Sequence, residues 1–389
     1  MDATLKAADR PHLRRALELA ENGRGRVSPN PLVGAVIVRD GEVVGEGFHA
    51  ELGGLHAERA ALEDCRRRGE DPSGATMYVT LEPCAHEGRQ PPCVEAILGA
   101  GIGRVVIASD DPTEKASGRG PGILRDGGVE VELAAGEEAT AARLLNQPFR
   151  KRARTGLPLV TLKLAMSLDG RTEAPPGDSP WISSEESREL VHRWRAESDA
   201  IAVGIGTVLA DDPLLTARAA DAARQPIRVV FDSETRLPLD SQFVRTLDES
   251  PVLVVAGSEA DAGRTAALRD AGVEVLVADG IEMALAALGK RDITSLFLEG
   301  GRTLAASFID GDLIDESRTF IAPVLLGGAG QGSLRAGPVA AGDPPPPAVA
   351  EASSGAVPPA APPARREALS STTETVGEDT LIIARFKEW

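Results

Sequence analysis

Cysteine is scarce in this chain: its 389 residues include three, Cys65, Cys84 and Cys93. An odd, sparse set argues against a disulfide framework and for a reducing compartment. Long apolar stretches are missing as well. No uninterrupted apolar run reaches the roughly 18 residues that a membrane span needs, so no membrane partner is expected. The opening residues, Met1 to Arg10, carry early acids and no apolar core, which argues against a signal peptide. Positive charge is in deficit: 42 Lys and Arg stand against 59 Asp and Glu, a net charge of −17. Nucleic-acid binding relies on basic stripes, so no nucleic-acid partner is expected either. An anionic substrate would have to be held by a few local arginines. These exclusions leave a cytoplasmic globular protein.

What is present fits two domains of ordinary size. Residues 10–22 have helical spacing and stop at Gly23. Val33–Val38 and Val43–Phe48 are apolar runs joined through Asp40-Gly41, a hairpin signal. A helix over 56–68, a strand over 76–81, a short helix opened by Pro91 and Pro92, and strands at 104–108 and 129–133 complete an α/β layered domain ending near residue 150. The basic stretch 151–158 reads as a linker. A second α/β pattern fills 159–389, with strands expected at 159–165, 199–203, 227–231, 252–256, 273–277 and 295–299. Helices are expected at 184–197, 259–270, 281–288 and 303–309, and a last strand at 379–386. Residues 336–365 are rich in proline and alanine and read as a disordered loop.

The chemistry of the first domain is carried by His56-Ala57-Glu58, then Pro83-Cys84, then Cys93. One imidazole and two thiolates make three ligands for a tetrahedral zinc and leave a fourth position for water. Glu58, two residues after the histidine, is spaced to move protons rather than to bind the metal. His-x-Glu followed by Pro-Cys is the signature of zinc-dependent base deaminases. The wider gap between Cys84 and Cys93 departs from the common Cys-x-x-Cys form. A closed structural zinc site would need a fourth ligand, and His86 is the nearby candidate. Cys65 reads as a buried helix residue. In the second domain, Glu299-Gly300-Gly301 ends a strand just before a helix, an arrangement that lets backbone amides approach a phosphate.

The run Thr80 to Cys93, with Pro29-Asn30-Pro31-Leu32-Val33-Gly34 and Gly45 to His49, closely resembles the deaminase half of the bifunctional deaminase–reductases of riboflavin synthesis. The second half resembles their reductase through Pro158 to Thr172, Ser179-Pro180-Trp181-Ile182-Ser183, Arg195, Val203-Gly204 with Thr207 to Pro213, Leu215 to Arg218, Phe231-Asp232-Ser233 and Leu298 to Gly301. The resemblance implies a cytidine-deaminase-like α/β/α domain followed by a dihydrofolate-reductase-like α/β domain. It implies Zn²⁺ and NADPH as cofactors, a pyrimidine ribosyl phosphate as substrate, and a homo-oligomer, dimer or tetramer. Asn30, His49, His86 and Arg89 would line the deaminase site, with Asp110 or Asp111 near the ribose. Asp111-Pro112-Thr113 stands where the family often has Asp-Pro-Asn. Ser179, Arg195, Leu215, Arg218 and Glu299 would contact the reductase substrate. Ala165, Trp181, Thr207, Asp211, Ser233 and the run Gly301, Arg302, Thr303, Leu304, Ala305, Ala306 and Ser307 would contact NADPH. Two rival functions are a nucleoside or tRNA deaminase with an accessory domain, and a deaminase whose second half only binds nucleotide.

Overall fold

The computed structural model describes residues 5–88, 90–114, 116–174, 179, 181–219, 222–327 and 366–389. Arg89 and the loop expected at 336–365 lie outside them. The first half is built from α1 (Arg10–Glu21), β1 (Gly34–Arg39), β2 (Glu42–Phe48), α2 (Ala57–Arg68), β3 (Thr76–Val79), α3 (Cys93–Gly99), β4 (Arg104–Ile107), α4 (Arg119–Asp126), β5 (Glu130–Leu133), α5 (Glu137–Leu145) and α6 (Gln147–Thr155). Its strands form a sheet ordered β2-β1-β3-β4-β5. The β1–β2 hairpin turns through Asp40 and Gly41, both with positive φ, at 54° and 86°. Two left-handed residues match the twist of a tight hairpin, which favours Asp-Gly here. β3, β4 and β5 run parallel.

Alternation along β1 divides the core. Ala35 and Ile37 pack with Ala57, Ala61 and Ile97 of α2 and α3, while Val36 and Val38 pack with Leu13, Ala16 and Leu19 of α1. Cys65 is fully buried in the first of these layers. The sheet is therefore sandwiched between helices. α2 lies very close to β2 because Gly45 and Gly47 face it. A Cβ at Gly47 would fall 2.3 Å from Ala61 N, and one at Gly45 2.4 Å from Cys65 Sγ.

The second half carries β6 (Leu159–Ser167), α7 (Glu185–Glu197), β7 (Ala200–Gly204), α8 (Ile205–Asp211), β8 (Ile227–Phe231), α9 (Gln242–Arg245), β9 (Val252–Ala256), α10 (Ala262–Asp270), β10 (Glu274–Val277), α11 (Ile281–Gly289), β11 (Ser295–Leu298), α12 (Arg302–Asp310), β12 (Glu316–Ala322), β13 (Ser370–Val376) and β14 (Asp379–Arg385). They build a sheet ordered β10-β9-β8-β7-β11-β6-β12-β14-β13. It is parallel from β10 to β12 and ends in an antiparallel hairpin. α7 and α10 cover one face around Trp194, Leu268 and Phe320. α11 and α12 cover the other around Leu285, Leu288 and Phe308.

The stretch expected as a linker is helical through Thr155, because α6 runs into it. Lys151 is 3% exposed and pairs with Asp315 of the second half at 2.5 Å. The same Asp315 accepts from Val160 N at 2.7 Å and from Trp389 Nε1 at 3.0 Å. The basic residues that read locally as solvated linker are partners of acids far along the chain. The structure also adds α4, α5, α8, α9, β12 and β13 to the elements expected from sequence.

Replacing Gly47 by Ala would drive α2 off β2. Unfolding by denaturant is expected to show a loss of about 1–3 kcal/mol, the usual cost of overpacking a tight contact.

Candidate active sites

His56 is the N-cap of α2, in extended conformation, so its ring projects beyond the first turn. Cys84 follows β3, and Cys93 opens α3 behind the Pro92 cap. His56 Nδ1 lies 3.5 Å from Cys84 Sγ and 3.3 Å from Cys93 Sγ. All three donor atoms fall within 4.8 Å of one another. Cys93 N donates to Cys84 Sγ at 3.3 Å. The Cys93 thiol first, then the His56 ring and the Cys93 amide, outweigh burial and hold the Cys84 thiol down at about 4, so the site favours a thiolate beside the His56 ring. One nitrogen and two sulfurs converging on one point suit zinc and leave a ligand position free.

His56 and Cys84 open into a cavity of about 400 Å³, with Cys93 fully buried behind them. Glu58 lines it and is 3% exposed. Burial, then the Cys84 charge, raises its carboxyl to about 7, the range useful for a group that both takes and gives protons. Asn30, His49, His86 and Asp111 line the same cavity. His49 Nδ1 lies 2.9 Å from Leu55 O, and its Nε2 lies 3.1 Å from Asn30 Nδ2. The Leu55 carbonyl takes the Nδ1 proton, so Nε2 accepts from the amide. Burial lowers the His49 pKa and keeps that ring neutral. Asp111 accepts from Thr113 N at 2.8 Å and Thr113 Oγ1 at 2.7 Å. Thr113, at the position of the family's frequent asparagine, therefore faces the cavity as well. Asp110 does not line it; its carboxylate turns to Arg150, 3.1 Å away. Phe149 of α6 and Asp292 of the second half, neither foreseen from sequence, complete the wall.

In the second half, the parallel strands end on one side, the usual place for a ligand crevice. Ser233 follows β8, Thr207 lies in α8 after β7, and Gly301 caps α12 after β11. Gly300 and Gly301 have φ of 127° and 73°, conformations that glycine adopts readily. A Cβ at Gly301 would sit 3.2 Å from Thr207 Oγ1. The run 301–307 forms the first turns of α12, whose amides suit a phosphate. Ala305 within it is buried in the core. This cradle fits the nucleotide end of NADPH. Ala165 is on β6 and packs against the core; Asp211 is exposed at the end of α8. Trp181 is 61% exposed, with the Arg188 guanidinium 5.3 Å from its ring and Ser179 Oγ accepting from its amide.

Arg195 forms a two-pronged pair with Glu299, with Nη2 2.9 Å from Oε2. Burial alone would raise the Glu299 carboxyl, but Arg195 and Lys163 outweigh it and keep it ionised. Leu215 is buried in the core with a φ of 49°, so its backbone rather than its side chain is free to meet a ligand. Arg218 is exposed, and its N–H donates to His192 Nδ1 at 3.3 Å. Lys163 and His192 were missed from sequence. Burial lowers both, and His192 falls to about 4 beside Arg195 and Arg218. A lone lysine inside the apolar run of β6 was the available signal for Lys163.

A deaminase-type metal pocket joined to a reductase-type crevice is thus the class that fold and sites define. Residues 6–109 match the family model of the cytidine and deoxycytidylate deaminase zinc-binding region, and residues 158–350 that of the RibD C-terminal domain. The riboflavin biosynthesis protein RibD of Actinobacillus pleuropneumoniae is 43% identical over 82% of this chain and 85% of its own length. That of Escherichia coli is 41% identical over 83% and 90%. The crystal structure of a diaminohydroxyphosphoribosylaminopyrimidine deaminase/5-amino-6-(5-phosphoribosylamino)uracil reductase from Thermotoga maritima covers 98% of this chain and 99% of its own, with a TM-score of 0.80 at 34% identity. The chain belongs to the RibD family, the bifunctional deaminase–reductases of riboflavin biosynthesis.

Cys93→Ala should lose stoichiometric zinc by elemental analysis. Glu58→Gln should keep it while deamination falls at least ~100-fold, the scale of general acid–base catalysis. Zinc loss in the Glu58 variant would make that residue a ligand or ligand support.

Proposed function

We propose that the first half hydrolyses the 2-amino group of 2,5-diamino-6-ribosylamino-4(3H)-pyrimidinone 5′-phosphate. The second half then reduces the ribosyl to a ribityl chain, giving 5-amino-6-ribitylamino-uracil 5′-phosphate. The observation that carries the first step is a buried carboxylate lining the same cavity as His56 and Cys84, two members of a His–Cys–Cys cluster. His56, Cys84 and Cys93 would hold Zn²⁺, which when bound acidifies a water. Glu58 is placed to take that water's proton on its carboxylate and return it to the departing amine. Neutral His49 and Asn30 form a polar edge of the cavity that can orient the pyrimidine. The carboxylate of Asp111, fixed by Thr113, is suited to a ribose hydroxyl.

For the second step, NADPH when bound supplies the hydride. The Gly300-Gly301 turn and the first turns of α12 would seat its phosphates, near Thr207 and Ser233. Lys163 is within electrostatic reach of the Arg195–Glu299 pair, so an amine and a paired carboxylate stand together as candidates to meet the ribose. Arg195 is neutralised by Glu299. Arg218, exposed and not paired with an acid in any described contact, is therefore the better phosphate partner. Three unpaired cysteines among the described residues favour a cytoplasmic setting. No helix among them is long and apolar enough to cross a membrane.

Purified protein given the pyrimidine phosphate should release ammonia, and then oxidise NADPH. Ammonia without NADPH oxidation would favour a second half that only binds nucleotide. Arg218→Ala should weaken the reductase substrate by about 1.5–3 kcal/mol, the range for a hydrogen bond to a charged group. Arg218→Lys should fall between, because it keeps the charge and loses the planar fork. NADPH affinity should be unchanged in both. Titration of each ligand decides, and an NADPH effect without a substrate effect would move Arg218 to the cofactor site.

A further inference from the structure

The turn between α11 and β11 belongs to the reductase half, yet it lies against the deaminase cavity. At its start, a Cβ on Gly289 would fall 1.8 Å from Gly156 O, so the end of α11 meets the end of α6 without room for a side chain. Arg152 of α6 donates to Gly289 O at 3.0 Å and pairs with Asp292. Asp292 in turn lines the cavity that holds His56 and Glu58.

Two residues further on, Thr294 Oγ1 lies 3.2 Å from Ser28 Oγ. Thr294 is itself fixed. Its N and Oγ1 both donate to Asp199 Oδ2, at 2.7 and 2.6 Å, and Asp199 Oδ1 pairs with Arg224. The single hydroxyl proton of Thr294 is thus spent on the carboxylate. Ser28 is left as the donor across the domain boundary. Burial would raise the Asp199 carboxyl, but Arg224, then Ser28 and Thr294, outweigh it; the acceptor stays ionised, and the Ser28 hydroxyl faces Thr294 and Asp199 as one unit.

Ser28 begins the segment that carries Asn30. The far end of that segment is pinned inside the deaminase half: Leu32 N donates to Asn146 Oδ1 at 2.8 Å and Leu32 O accepts from Asn146 Nδ2 at 2.9 Å. Asn30 sits between the two anchors, with its amide against His49 Nε2. Pro29, Asn30 and Pro31 all line the cavity.

We infer that the reductase half shapes the deaminase pocket: Thr294, backed by Asp199, is a positioning residue for deamination, acting through Ser28 on the Asn30 segment. The inference rests on the reading of this cavity as the deaminase site. It gives Thr294 a role in a reaction whose chemistry lies in the other half of the chain. One anchor of the Asn30 segment is local, and the other is borrowed from the start of a reductase strand. The carboxyl end of that same strand leads to Glu299, so the two ends of β11 serve different reactions.

The test uses full-length protein with Ser28→Ala, Thr294→Val, the double variant and Thr294→Ser. Either single loss should raise the deaminase KM about 3- to 10-fold, the worth of one neutral hydrogen bond, with a smaller change in kcat. The double variant should be no worse than the more affected single one, because both remove the same contact. Thr294→Ser keeps the hydroxyl and should restore the wild-type KM. Zinc content and NADPH-dependent reduction should not move in Ser28→Ala. If Thr294→Val fails to fold, Ser28→Ala and Thr294→Ser still decide. Hydrogen exchange at the Asn30 and Leu32 amides should quicken in Ser28→Ala, and this is readable without turnover. A wild-type protein that does not deaminate would overturn the site assignment, while the exchange result would still judge the brace. Additive effects in the double variant, a parallel fall in both activities, or unchanged exchange would each overturn the inference.

Discussion

Helix α2 rests on strand β2 at a distance that leaves room for hydrogen and nothing larger. Gly45 and Gly47 make that contact, and much of the deaminase site follows from it. The helix start places His56 at its cap and Glu58 in its first turn. Both then meet Cys84 from the end of β3 and Cys93 from the start of α3. A metal triad needs its donors fixed to within fractions of an ångström, and rigid elements hold them better than loops do. Here a helix cap, a helix start and a post-strand loop are locked together through a single layer of small residues. The pKa of Glu58 is raised in this setting by its own burial and by the neighbouring Cys84 charge.

The second half solves a different problem. Its ligands are anions, yet the chain carries a net charge of −17. The structure spends many of its arginines internally. Arg228 is wholly buried among backbone carbonyls and Thr246. Arg195 is matched by Glu299, and Arg224 by Asp199. Among the described residues, the glycine-rich entry of α12 and the exposed Arg218 are the groups proposed for the phosphates. Backbone amides do not add to the charge count, so an acidic protein can bind an anion without a basic surface.

Sequence made the site more legible than the assembly. His56, Glu58, Cys84 and Cys93 stand at spacings set by chemistry within one short region, and each falls where a strand or helix must begin or end. The apolar runs of β1, β7, β8 and β9 announce buried strands for the same local reason. The elements that stayed hidden depend on distant partners. The stretch from 151, the end of α6, reads as a basic linker because Lys151 and Arg152 find their acids at positions 315 and 292. β13 is Ser- and Thr-rich and nearly all exposed, and it is recognisable only by the backbone ladder it makes with β14. Asp110 and Asp111 are adjacent in sequence, and only the fold shows that one turns to Arg150 while the other turns to the cavity.

Trp389 lies on α6, in the first half. Gln147 exchanges two bonds with its backbone, at 2.8 and 3.1 Å, and Arg150 donates to its carbonyl at 2.7 Å. Arg150 also holds Ser109 and Asp110 beside the deaminase cavity. A chain emerging from the ribosome makes α6 early and meets Trp389 more than two hundred residues later. Domains generally fold as they emerge, N-terminal first. The bonds of Gln147 and Arg150 to Trp389 therefore close only after the intervening strands and helices have been made. Part of the first half is thus completed by a residue from far downstream in the chain.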